Sequence, residues 1–307
     1  MSRAANPMFD ATTLKESEIQ TSSLWNDLLS LVKIGIINSN LITAFTGIWL
    51  ALYFTNQTFI ASIDKVLLGM FGNALVMAGA CVLNNYIDRD IDHIMERTKT
   101  RPTVTGSIGL TKVLMLGWSA SLIGLLLLLL ASPQAAIIGF IGWFTYVVLY
   151  SLWSKRRHPI NTVVGSFSGA APPLIGWAAI DPTLSIEAWV LFLIMFIWQP
   201  PHFYALAMKK CAEYKKAGVP MLPVVKGFAV TKRHIVAFVA CLLPLPFFLT
   251  ALGPVFLTVS LLLSVGWFVL GIYGFFMKED LKWSKWMFIY SLNYLTIIFV
   301  LMVIVTI

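Results

Sequence analysis

A chain of 307 residues that is 58% hydrophobic and only 12% charged is not an ordinary soluble domain, in which roughly a quarter of the residues carry charge. Its mean hydropathy is +0.82. In that setting a net charge of +8 reads as loop charge bias and contact with anionic lipid headgroups, not as a nucleic-acid footprint.

Residues 1–33 are polar and mixed in charge, without the apolar core and small-residue cleavage site of a signal peptide. They are expected to form a cytoplasmic N-terminal tail. Residues 34–307 are expected to form one all-α domain, a polytopic transmembrane bundle of about nine helices. The spans run approximately 34–54, 66–83, 113–131, 135–152, 162–180, 186–207, 235–251, 254–276 and 287–307. Most approach the roughly 20 residues that a helix needs to cross the hydrocarbon core. Helix is the only state in which an isolated apolar segment satisfies its own backbone there. Cys81, Cys211 and Cys241 make neither a CxxC nor a CxxCH pattern, so they read as small apolar fillers and not as a zinc knuckle or haem attachment.

The basic residues sort by side. With the tail in the cytoplasm, only Lys65 of the 22 lysines and arginines falls on the opposite face, a strong positive-inside pattern. An odd number of spans puts the C-terminus outside. Asp88, Asp90, Asp92, Glu96 and the histidines His93, His158, His202 and His234 lie in or beside the loops on the tail's side. A site is therefore expected to open toward the cytoplasm from a multi-pass protein of the cell membrane.

The segment from Asn84 to Asp92 leaves the second span. If the helix continues, Asn84, Asp88 and Asp92 follow one another at i, i+4 and i+8 and share one face, about 6 Å apart per step, while Asp90 points away. Carboxylates so spaced repel, and more so near a membrane. A divalent cation removes the conflict. Mg²⁺ takes one or two carboxylates and completes its shell with water and phosphate oxygens. The plainer alternative is a solvated loop in which Arg89 and Arg97 pair with the aspartates. The following Arg97, Lys99 and Arg101 favour the first reading, because they add donors suited to phosphate.

The run from Asn84 through Arg101-Pro102 resembles the first signature of the UbiA prenyltransferase superfamily, in which an Asn-x-x-x-Asp-x-x-x-Asp stripe binds Mg²⁺ and an isoprenoid diphosphate. The resemblance implies Asn84, Asp88 and Asp92 as metal and diphosphate ligands, with Arg97 and Arg101 near them. Three further stretches resemble the haem-farnesylating branch of that superfamily: Tyr150–Gly165 with Lys155, Arg156, Arg157 and Asn161; Gly169–Trp177; and Trp198-Gln199-Pro200-Pro201-His202-Phe203 leading to Ala217–Pro223. They imply farnesyl diphosphate, haem b and membrane lipid as partners, Mg²⁺ as cofactor and no nucleic acid, and leave open direct binding to a downstream haem-modifying enzyme.

One stretch departs from the pattern. Relatives that prenylate phenolic rings carry a second aspartate-rich motif after the sixth span. Here Met208–Lys216 is basic, with Glu213 its only acid, so a second carboxylate-held Mg²⁺ is not expected. Lys209 and Lys210 are candidates to neutralise diphosphate oxygens, or serve orientation and lipid contact. Lys155 and Arg156 are topology determinants or bind diphosphate or haem propionate. His202 is a hydrogen-bonded interface histidine beside a proline kink or a haem contact. Asn161 is a helix cap or interhelical hydrogen bonder, or a polar contact to substrate. The rival activities are prenylation of an aromatic acid or quinone precursor, and transport. The spans are almost free of the midplane ionisable groups that transport calls for.

Overall fold

The computed structural model describes residues 23–307, so the expected N-terminal tail lies outside the described residues up to residue 22. Among the described residues, eight continuous stretches are helical, apolar and long enough to cross a bilayer. The chain is thus a multi-pass integral membrane protein. The longest stretch, Leu222–Tyr273, has 52 residues. At 1.5 Å per residue it would measure ~78 Å, more than twice a ~30 Å hydrocarbon core.

That stretch is two spans. It bends between Leu242 and Gly253, through the 3₁₀ segment Leu245–Leu252 with its prolines Pro244 and Pro246. The two legs run back along each other, because Lys232 of the first donates to the carbonyl of Gly274 at the end of the second, at 2.7 Å. Among the described residues nine crossings result: Ile34–Phe54, Ile63–Asp92, Leu110–Ala131, Pro133–Arg157, Asn161–Ile180, Ile186–Lys209, Leu222–Leu242 with a kink at Gly227, Gly253–Tyr273 and Asp280–Ile304. Ahead of them Leu24–Val32 is a short amphipathic helix that ends one residue before the first span.

Small residues set the spacing of the bundle. A Cβ on Gly79 in the second span would collide with Ser121 and the Gly117 carbonyl of the third, and one on Gly47 in the first with the Pro173 carbonyl of the fifth. Close backbone approach of this kind supplies van der Waals packing where lipid removes the hydrophobic drive. Pro172 and Pro173 sit inside the fifth span and Pro200 and Pro201 inside the sixth. Polar side chains bond carbonyls beside these prolines. Asn73 donates to the carbonyl of Pro172 at 3.4 Å, and Gln199 donates to those of Ser166 and Met195 at 3.2 Å. The outward surface is lined by exposed leucines, isoleucines and phenylalanines, as a lipid-facing surface requires.

Candidate active site

The second span is 30 residues long and runs unbroken to Asp92. It carries the polar signature on past the apolar core, so the i, i+4, i+8 spacing becomes a real face. Asn84, Asp88 and Asp92 are all buried, while Asp90 lies on the outer side with its side chain 61% exposed.

Four cations from three places in the chain converge on this helix end. Lys155, at the end of the fourth span, is bonded to Asp88 Oδ2. Arg101, from the loop after the second span, donates to Asp92 Oδ2 at 2.5 Å. Arg156 grips Asp90 with two nitrogens at 2.6 and 2.7 Å, and reaches to 3.7 Å from Asp88 Oδ1. Lys33, immediately before the first span, donates to Asn84 Oδ1 at 2.5 Å. Burial pushes the Lys33 amine down to about 8, with Arg101 and Lys155 acting in the same sense, so it is still largely protonated at neutral pH. Its backbone is left-handed, with φ 57 and ψ 55, a conformation that costs a non-glycine residue about 1–2 kcal/mol.

Asn84 is the hub of this network. Its Nδ2 donates to Asp88 Oδ2 at 2.7 Å and to Ser151 Oγ at 2.9 Å. Ser151 is presented by a π-helical stretch, Thr145–Ser154, and its hydroxyl donates to the Tyr146 carbonyl five residues back at 2.8 Å. Wide turns of this type recur at functional sites. Lys33 and Ser151 were not among the residues singled out from sequence. The only sequence signal for Lys33 is its place as the last cation before the first span. Ser151 has none, since a π turn leaves no periodic mark.

The other expected residues are placed differently. Arg97 is exposed and hydrogen-bonds no side chain; it lies near enough to Tyr214 to act on it electrostatically. Arg89 donates to the Tyr86 carbonyl at 2.6 Å and stacks on the Tyr86 ring, so it does not neutralise the stripe. Asn161 is buried at the start of the fifth span. It donates to the Lys155 carbonyl at 3.4 Å and accepts from Thr162 at 3.2 Å, a brace behind the Lys155 turn. His202 bonds Ser291 Oγ through Nδ1 at 2.8 Å and lies between the rings of Trp198 and Phe288, each 4.7 Å away. This is the geometry of a hydrogen-bonded histidine packed against aromatic rings. Lys210 pairs with Glu213 at 2.6 Å, and Lys209 sits 5.3 Å over Phe288. An apolar cluster of Met95, Ala207, Ala217, Val219 and Met221 joins the two polar loops.

A magnesium ion asks for hard oxygen donors. Asp88 Oδ1 is buried and has no hydrogen-bond partner, an acceptor of the kind that a hard cation uses. Among the described residues no three acidic, cysteine or histidine side chains form a cage, which suits an ion that leaves most of its shell to water and phosphate. The residues fit.

A polytopic helical bundle with a buried amide–carboxylate face, ringed by lysine and arginine at one membrane surface, is built to hold a polyanion at the edge of an apolar interior. The chain belongs to the UbiA prenyltransferase family, whose model matches residues 40–292. It is 62% identical over 290 residues, 94% of each chain, to the protoheme IX farnesyltransferase of Geobacillus sp. (strain WCH70). It is 56% identical over 302 residues, 98% of this chain and 99% of the other, to protoheme IX farnesyltransferase 2 of Bacillus subtilis (strain 168). Among solved structures, a UbiA homolog from Archaeoglobus fulgidus bound to DMAPP and Mg²⁺ superposes with a TM-score of 0.69 at 16% identity, over 88% of this chain and 99% of that one. A digeranylgeranylglyceryl phosphate synthase gives 0.73 at 20% identity, over 92% and 98%.

Proposed function

We propose that this protein transfers the farnesyl group of farnesyl diphosphate to a vinyl group of haem b, giving haem O and diphosphate, and that residues 34–307 act as one catalytic bundle in the cell membrane. The relatives' names support the substrates. The single observation that carries the chemistry is the buried face of Asn84, Asp88 and Asp92 with Lys33, Lys155 and Arg101 bonded to it. Asp88 and Asp92, with Asn84 beside them, would hold Mg²⁺, which when bound neutralises diphosphate oxygens and favours their departure.

Lys155 and Arg101 are bonded to the carboxylates themselves, so their charge stands where diphosphate oxygens would be held. Charge developing on the leaving oxygens is stabilised by donors already in place. The allylic C–O bond breaks with its electron pair on diphosphate. The apolar bundle keeps bulk water from the allylic cation. The terminal vinyl carbon then forms the new C–C bond. Water adds to the resulting benzylic-type carbon and loses a proton, which balances the hydroxyethylfarnesyl product.

The positive-inside distribution supports a site that faces the cytoplasm, with the N-terminus on that side and the C-terminus outside. Incubating the purified protein with haem b, farnesyl diphosphate and Mg²⁺ should yield haem O by mass spectrometry. Prenylation of a phenolic acid instead, with haem unchanged, would reject the reading.

A further inference from the structure

The single residue between the interfacial helix Leu24–Val32 and the first span is Lys33, and its backbone is left-handed. Glycine or asparagine usually takes that place. A lysine kept in a strained turn points to a task for its side chain, and the side chain ends on Asn84 Oδ1. What fixes the turn is a separate contact. Asn85 is fully buried and donates Nδ2 to the carbonyl of Leu31, two residues before Lys33, at 2.8 Å. Its Oδ1 has no hydrogen-bond partner. Leu31 is itself fully buried and packs with Val82, Ile108 and Val113. Two adjacent asparagines, about 100° apart around one helix, thus hold the two ends of one lysine: Asn84 its ammonium, Asn85 the backbone just before it.

We propose that Asn85 is a positioning residue for prenyl transfer. By holding the Leu31 carbonyl it fixes the left-handed turn and aims Lys33 at the diphosphate, so that the helix Leu24–Val32 is a wall of the site. The proposal rests on the reading of Asn84–Asp92 as the diphosphate site. Asn85 does not touch substrate and acts through Lys33. Leu24 and Trp25 are exposed at the start of the same helix, where the membrane interface receives them and holds it from the other side.

The test uses the full-length protein in detergent. Binding of farnesyl S-thiolodiphosphate, which does not ionise readily, is measured by calorimetry. The KM values for farnesyl diphosphate and haem b are measured alongside, for Asn85→Ala, Lys33→Ala and the double variant. Each single change should weaken analogue binding and raise the diphosphate KM about tenfold, with the haem KM unchanged. The double variant should be no weaker than Lys33→Ala alone, because one residue acts through the other. Losses that multiply in the double variant, or a haem KM that rises in parallel, overturn the proposal.

Lys33→Gly covers the case in which Asn85→Ala fails to fold. It relieves the turn, so it should keep or raise Tm while losing the same tenfold in affinity; full affinity in that variant overturns the proposal. Undiminished analogue affinity and turnover in Asp88→Asn would instead reject the diphosphate site itself.

Discussion

The two polar loops at the same membrane surface, one after the second span and one after the sixth, use their charges in opposite ways. After the second span, Asn84, Asp88 and Asp92 are buried on a continuing helix, and their partners come from the residue before the first span, the fourth span and the loop beyond. After the sixth, Lys210 and Glu213 satisfy each other one turn apart on a partly exposed surface, Lys209 rests on Phe288, and His202 is closed by Ser291. The first loop keeps long-range, desolvated charge around a buried carboxylate oxygen that accepts no hydrogen bond. The second has spent its charge locally. Desolvated charge held by distant elements is preorganised for a polyanion, whereas an exposed local pair contributes little to anything.

That contrast can be broken most severely at Asp88. Asp88→Asn or Asp92→Asn should lower kcat by about 10³-fold or more while the protein still inserts and extracts as a folded species; a double variant with full turnover would remove the distinction between the loops. Next in size, rigorous chelation with EDTA should stop turnover and added Mg²⁺ restore it, and activity that survives chelation would count against a metal at the first loop. Lys155→Ala should cost about 10²-fold in kcat/KM for farnesyl diphosphate. It should also lower stability by roughly 3 kcal/mol, because Asp88 is left buried without its ammonium, and a denaturation midpoint measured in detergent checks this.

The second loop should respond more mildly. His202→Ala should cost about 2 kcal/mol of stability through its lost hydrogen bond and ring stacking. Both substrate KM values should move by less than about threefold; a selective rise in the haem KM would return His202 to the site. Lys210→Ala sits at the small end, within about 0.5 kcal/mol and without kinetic effect. A tenfold loss there would erase the comparison.

The fold was legible because the bilayer imposes a length and a solvent on each segment. Apolar runs of about 20 residues can only be helices, and the bias of lysine and arginine to one side orders them. The seventh span was less legible: expected at 235–251, its helix instead begins at Leu222 and ends at Leu242, where the turn through Leu245–Leu252 starts. The stripe was legible because its logic is local: residues four apart share a helix face if the helix continues, and it does continue to Asp92.

Arg101, Lys155 and Arg156 were named from the sequence; what could not be read was which acid each would meet, or that Lys33 would join them. Arg89 and Arg97 were the nearest cations in sequence, yet Arg89 turns back on Tyr86 and Arg97 stays exposed. The cations bonded to Asn84 and Asp88 are Lys33 and Lys155, 51 and 67 residues away.

By itself the sequence determined the class of solvent, the crossings, the side on which charge gathers and the face of the helix that bears two carboxylates. Each follows from hydropathy and helical period, which act within a few turns of chain. Tertiary structure alone decided which cations reach that face, through a left-handed turn at Lys33 and a π stretch at Thr145–Ser154. Such irregularities carry no periodic signature, and they are held only by packing against elements far away in the chain.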